Sequence, residues 1–99
     1  MPPAELPGNH HIYHQYTLRC TDRDTARSTF GAAGVDSAVY YPVPLHTQEA
    51  YSCLGYGPGD FPETEKACEE VLSVPVHPEL TPDQVETVAR TLAKASRVQ

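Results

Sequence analysis

Residues 40–56 read YYPVPLHTQEAYSCLGY, and the rest of the chain is organised around them. Pro42 and Pro44 each hold φ at about −65° and have no amide N–H, so a central strand does not run through them. Each also pushes the residue before it toward extended geometry. The stretch therefore predicts a stiff extended ledge, entered from a strand and left through a short helix over residues 48–54 that Gly55 closes. It carries Tyr40, Tyr41, Tyr51 and Tyr56 together with one imidazole, His46. Hydroxyls and an imidazole on a rigid ledge suit the grip of a polar small molecule. The same tyrosines also suit a plainer task, covering the edge of a core.

The strand that enters the ledge is residues 35–41. Before it, Thr21 or Asp22 caps a helix over residues 23–33, with Gly34 at the position after the helix where a left-handed turn belongs. Its inner stripe is Ala26, Phe30 and Ala33, thin enough that packing on a sheet must stabilise it. Further upstream, residues 10–20 read HHIYHQYTLRC, rich in β-favouring side chains. Alternation places Ile12, His14, Tyr16, Leu18 and Cys20 on one face, the core face, and Tyr13, Gln15, Thr17 and Arg19 on the other. Residues 1–8, with three prolines and a glycine, read as a linker, and residues 9–99 as one domain.

Downstream of the ledge, Asp60 and Pro62 open another helix, with Glu63 and Glu65 near its positive end. Thr64, Ala67, Cys68, Val71 and Leu72 follow helical spacing along it. A short third strand over residues 73–77 is interrupted by Pro75. Thr81-Pro82-Asp83-Gln84 then forms a capping box, and the last helix turns Val85, Val88, Ala89 and Leu92 inward. The order is β-α-β-α-α-β-α, which predicts a small α/β two-layer sandwich with a partly antiparallel sheet of about three strands.

Composition narrows the function. A chain of 99 residues is one domain with room for one modest core. A net charge of −6 argues against a nucleic-acid partner, which needs clustered Lys and Arg. No apolar run reaches the length of a membrane span, and no secretory signal pattern opens the sequence. Cys20, Cys53 and Cys68 lack paired spacing and read as reduced thiols of a cytoplasmic protein. His10, His11 and His14 invite a metal reading, but they point to different faces and have no Asp, Glu or Cys partner at ligand spacing. No metal site is expected. No activated cysteine, phosphate-binding loop or carboxylate pair completes a catalytic constellation.

The run of motifs is nevertheless specific. HIYHQYTLR, a helix ending AAGV, then VYYPVPLHTQEAY and LGYGPGDFPETEKACEEVLSVPVHPELTPDQVETV resemble the C-terminal domain of the DegT/DnrJ/StrS aminotransferases. The resemblance runs from about Leu6 to Leu92. It implies the small domain of a fold-type I, pyridoxal-phosphate-dependent enzyme. Such an enzyme transfers an amino group from glutamate to a nucleotide-linked keto sugar, in amino-sugar biosynthesis for polysaccharides or antibiotics, and works as a homodimer. The resemblance places the cofactor and its Schiff-base lysine in a large domain that this chain lacks, so no catalytic residue is expected here. Neither Lys66 nor Lys94 lies in the family's lysine motif. By position, Tyr40 and Tyr41 match the family's substrate-facing pair before the proline, and His46 matches the histidine of the turn that follows. All three are expected to bind the nucleotide sugar. His14 matches a strand histidine, with a structural role as an alternative. The chain reads as a truncated or split reading frame, inactive on its own; the alternative is a free-standing, non-catalytic α/β module that binds a ligand or regulates a partner.

Overall fold

Residues 4–95 are described by a computed structural model; the first three residues of the expected linker and the last four of the chain lie outside them. Their elements are β1 (Tyr16–Arg19), α1 (Arg23–Ala32), two 3₁₀ turns (Leu45–Thr47 and Glu49–Leu54), α2 (Pro62–Glu70), β2 (Val71–Val74) and α3 (Pro82–Ala95). β1 and β2 pair antiparallel, with Tyr16 opposite Val74, Leu18 opposite Leu72 and Arg19 opposite Val71. The expected strand over residues 35–41 is reduced to one bridge, Ala38 against Ser73, on the other side of β2. Its two bonds are Ala38 N–H to Ser73 O at 3.0 Å and Ser73 N–H to Ala38 O at 2.7 Å. A two-stranded sheet is marginal alone, so stability falls to the helices laid on it.

The core lies between one sheet face and α1 and α3. Leu18, Cys20, Leu72 and Val74 from the sheet meet Ala26 and Phe30 from α1, with Val35 and Ala95 completing the cluster. Phe30 is 0% exposed. Asp22 caps α1 by accepting the Thr25 amide at 3.0 Å, and Gly34 takes φ 70° beyond its end. Both features match the sequence reading, but the third inner position of α1 does not. Ala33 is exposed and Val35 fills that place, folded back by its N–H to the Phe30 carbonyl at 3.0 Å.

Three further expectations are corrected. β1 starts at Tyr16 because Tyr13 adopts φ 48° and gives its N–H to His11 Nδ1 at 3.0 Å, which ends any strand before it. Ile12 is consequently 82% exposed instead of facing the core, and His14 is exposed too. Asp60 does not cap α2: the N-cap is Phe61, without a side-chain bond, while Asp60 Oδ2 accepts the Gly57 amide at 2.8 Å. The last strand lies upstream of its expected position, since α2 runs straight into Val71 and Pro75, lacking an N–H, stops the ladder.

The capping box of α3 is present: Thr81 N–H donates to Gln84 Oε1 at 2.9 Å, and Gln84 N–H to Thr81 Oγ1 at 3.3 Å. The buried face of α3 is rotated from the expected one. Val88 and Leu92 pack against the core, but Val85 is 51% exposed and Ala89 exposed, and Thr91 and Ala95 are buried instead. Thr91 tolerates burial because its hydroxyl bonds back to the Thr87 carbonyl at 2.8 Å.

Candidate functional site

Two features involve the residues that the sequence singles out for binding. The first is an open cleft of about 530 Å³. It forms where the approach to β1, the Ala38 bridge and the end of β2 converge, and His14, Asp36, Ser37, Tyr40, Ser73 and Pro75 line it. His14 and Tyr40, far apart in sequence, thus line the same cleft. Asp36 and Ser37 were not singled out by sequence reasoning. Their only signal was their position just before the ledge, at a strand whose pairing shrinks to one residue. Asp36 brings a carboxylate to the cleft, a group that accepts hydrogen bonds from hydroxyls and repels phosphate.

The second feature is the ledge itself. Pro44 is extended, at φ −58° and ψ 138°. Its carbonyl accepts from Thr47 twice, from the amide at 3.1 Å and the hydroxyl at 2.9 Å, which turns the chain at once into the first 3₁₀ turn. The expected short helix is thus two 3₁₀ turns, the second closed by Gly55 at φ 75°. The Tyr40–Tyr41 peptide bond is cis, and the two rings meet edge to face at 5.5 Å. Tyr40 is 43% exposed and Tyr41 69% exposed.

His46 sits differently from the tyrosines. It is 9% exposed, enclosed beneath the ledge, with Nε2 at 2.9 Å from Glu65 Oε1. Phe61 closes over its ring edge to face at 4.8 Å, and Tyr56 packs on Phe61 at 5.1 Å. The same Glu65 oxygen accepts the Gly59 amide at 2.8 Å. That amide first, and the His46 ring second, hold the Glu65 carboxyl below its ordinary range. Glu65 reads in sequence as a residue suited to the positive end of a helix; its reach back past Phe61 was hidden because only the fold brings the loop glycine over the first turn of α2.

Among the described residues no group of three His, Cys, Asp or Glu side chains could hold a metal ion. Nor do the lysines fit pyridoxal phosphate. Lys66 lies exposed on α2, 4.0 Å from Glu70. Lys94 is exposed on α3, at the rim of an open groove that shares no residue with the cleft. A Schiff-base lysine needs a desolvated or cationic setting to become nucleophilic, and neither has one.

A sequence profile of the DegT/DnrJ/EryC1/StrS aminotransferase family matches residues 1–93. The chain belongs to that family. Its similarity to individual members of the DegT/DnrJ/EryC1/StrS group spans most of the chain. It is 42% identical over 95 residues to the pleiotropic regulatory protein of Geobacillus stearothermophilus, covering 96% of this chain and 26% of that relative. It is 34% identical over 92 residues to the UDP-N-acetyl-3-dehydro-alpha-D-glucosamine 3-aminotransferase of Acidithiobacillus ferrooxidans, covering 93% and 24%. Among solved structures, S. venezuelae DesV in complex with a ketimine intermediate superposes with a TM-score of 0.89 at 33% identity, over 99% of this chain and 27% of DesV. The chain therefore spans about a quarter of the length of the curated relatives it matches. The α/β architecture is that of an aminotransferase domain.

Among the described residues no helix is long and apolar enough to cross a membrane.

Proposed function

We propose that residues 9–99 are the C-terminal small domain of a pyridoxal-phosphate-dependent aminotransferase that moves an amino group from glutamate to a nucleotide-linked keto sugar, with residues 1–8 linking it to a large domain. The observation that carries this reading is the superposition on DesV over 99% of the chain, combined with a tyrosine ledge left open to solvent. The cofactor belongs to the large domain, since neither Lys66 nor Lys94 is placed to carry it. The parent enzyme is a cytoplasmic homodimer, and this chain by itself is catalytically inactive.

In that assembly the domain's task is recognition. Tyr40 and Tyr41 present hydroxyls that donate to or accept from sugar hydroxyls. His14 and Asp36, which line the cleft together with Tyr40, extend the same polar surface. The Asp36 carboxylate favours the sugar ring over the diphosphate at this end. His46 serves the ledge from beneath, through its nine-tenths-buried ring. The proline-held backbone loses little entropy on binding, so these contacts convert efficiently into affinity.

The reading is tested in a full-length enzyme containing this domain. Tyr41→Phe should raise the KM for the nucleotide sugar by about 2- to 10-fold, the equivalent of one neutral hydrogen bond. The half-reaction with glutamate should stay unchanged, because glutamate does not need the ledge. Unchanged sugar kinetics together with a lowered Tm would assign the ledge to core covering alone.

A further inference from the structure

The buried imidazole of His46 has two ring nitrogens, and the fold treats them unequally. Nε2 meets Glu65 Oε1 at 2.9 Å. The carboxyl of Glu65 is held in its ionised form by the Gly59 amide and by His46 itself, and an ionised carboxylate only accepts. The proton in that contact therefore resides on Nε2. Gly59, at φ 93°, keeps its N–H on the same oxygen at 2.8 Å. The carboxylate is thus fixed from a second side and cannot swing away to release the ring. Phe61 fixes the plane of the imidazole edge to face.

Nδ1 has no hydrogen-bond partner among the described residues, although the side chain around it is only 8% exposed. Yet no buried side-chain nitrogen or oxygen among them is left unbonded, so Nδ1 must reach solvent. One acceptor atom of an otherwise enclosed ring is thereby left to solvent. A ring nitrogen whose tautomer is set by a carboxylate on the opposite nitrogen is a directed group, not a filler.

We infer that Glu65 is a positioning residue: it holds the proton of His46 on Nε2 and so, in the neutral ring, leaves Nδ1 as a hydrogen-bond acceptor for a hydroxyl of the nucleotide sugar. The tautomer follows from this chain alone; the hydroxyl donor rests on the sugar-recognition reading above. A link serving only to tie the ledge to α2 would need the His46–Glu65 contact but would make no demand on Nδ1.

The test has two arms. In the first, two-bond proton–nitrogen correlation spectra of the ¹⁵N-labelled chain report the His46 ring near neutral pH. Nε2 should be protonated and Nδ1 should carry the lone pair. In Glu65→Gln the amide can donate as well as accept, so the opposite tautomer should grow to a measurable share while the β1–β2 amide signals stay in place. A wild-type ring protonated mainly on Nδ1 overturns the inference, whatever the variant does, and so does a variant ring spectrum identical to wild type. The second arm is kinetic, in a full-length enzyme carrying this domain. Glu65→Gln should raise the sugar-nucleotide KM by about 2- to 10-fold with kcat nearly unchanged, as for loss of one directed hydrogen bond. If the tautomer shifts as expected but sugar KM does not move, the positioning of His46 stands and the sugar as donor to Nδ1 is overturned.

Discussion

Ser73 is held from both sides by different parts of itself. Its backbone exchanges two hydrogen bonds with Ala38, and its hydroxyl lies 2.8 Å from the Thr17 hydroxyl on β1. One residue of β2 thereby joins the strand that precedes the ledge to the strand that opens the fold. Ser73→Ala leaves the backbone bridge intact and removes only the side-chain bond. The expected loss is about 0.5–1.5 kcal/mol, read as a lower urea midpoint with unchanged slope. Ser73→Pro removes the bridging N–H as well and should abolish the cooperative transition.

The core is small, so its largest members matter most. Phe30→Ala should cost about 3–5 kcal/mol and Leu72→Ala about 2–5 kcal/mol, because both side chains are fully buried. Thr81→Ala, which removes one of the two capping-box bonds of α3, should cost about 1 kcal/mol. Denaturant titration of the three variants orders them. A Thr81→Ala loss as large as that of Phe30→Ala would contradict the packing described.

Acid should weaken the ledge. Glu65 lies below its ordinary value of 4.5, through the Gly59 amide first and His46 second. Asp22 lies below 3.8 through its bonds with Thr25. A carboxyl depressed on folding adds stability that is full above its ordinary value and is lost as pH falls through the folded value. The stability gap between wild type and Glu65→Gln should therefore be constant near neutrality and close below about pH 4.5. A gap that persists undiminished to pH 2 would show that the charge of Glu65 is irrelevant.

The three thiols should react at separate rates. Cys53 is exposed, Cys68 is half-buried and Cys20 is buried, and burial pushes the Cys20 thiol above its ordinary value. With Ellman's reagent under native conditions, Cys53 should react first and Cys20 only on unfolding. Equal rates for Cys20 and Cys53 would mean that the core between β1 and α1 opens freely.

The chain with added pyridoxal phosphate and glutamate should show no transamination. Borohydride should trap no stoichiometric adduct, because Lys66 and Lys94 both sit in water. Specific labelling of either lysine would refute the assignment of the cofactor to the large domain.

Much of this arrangement was legible because local chemistry settles it. Asp22 acts through its side chain on the Thr25 amide three residues on, Gly34 and Gly55 through their own backbone, Pro75 through a missing N–H, and Thr81 with Gln84 through a four-residue motif. The ledge followed from the fixed φ of Pro42 and Pro44, and Tyr40 and Tyr41 lie on it open to solvent. What escaped were effects that depend on distant partners. Tyr13 belongs to a strand by propensity, and only its left-handed backbone removes Ile12 from the core. Thr91 counts as polar until its hydroxyl is seen bonded to Thr87, which rotates the buried face of α3. Glu65 and His46 lie nineteen positions apart, and neither helical nor strand periodicity connects them.

The pairing of Thr17 with Ser73 closes a span of 56 positions, which governs the order in which the domain assembles. Closing so long a loop costs about 2 kcal/mol more than closing a four-residue hairpin, and nothing local repays that cost early. On a translating ribosome, adding that many residues takes on the order of 3–11 s. Throughout that interval β1 has no sheet partner, and Leu18 and Phe30 wait without the Leu72 that covers them. The ledge is part of the loop that this pairing closes. The sheet and the core are complete only once β2 and α3 have arrived.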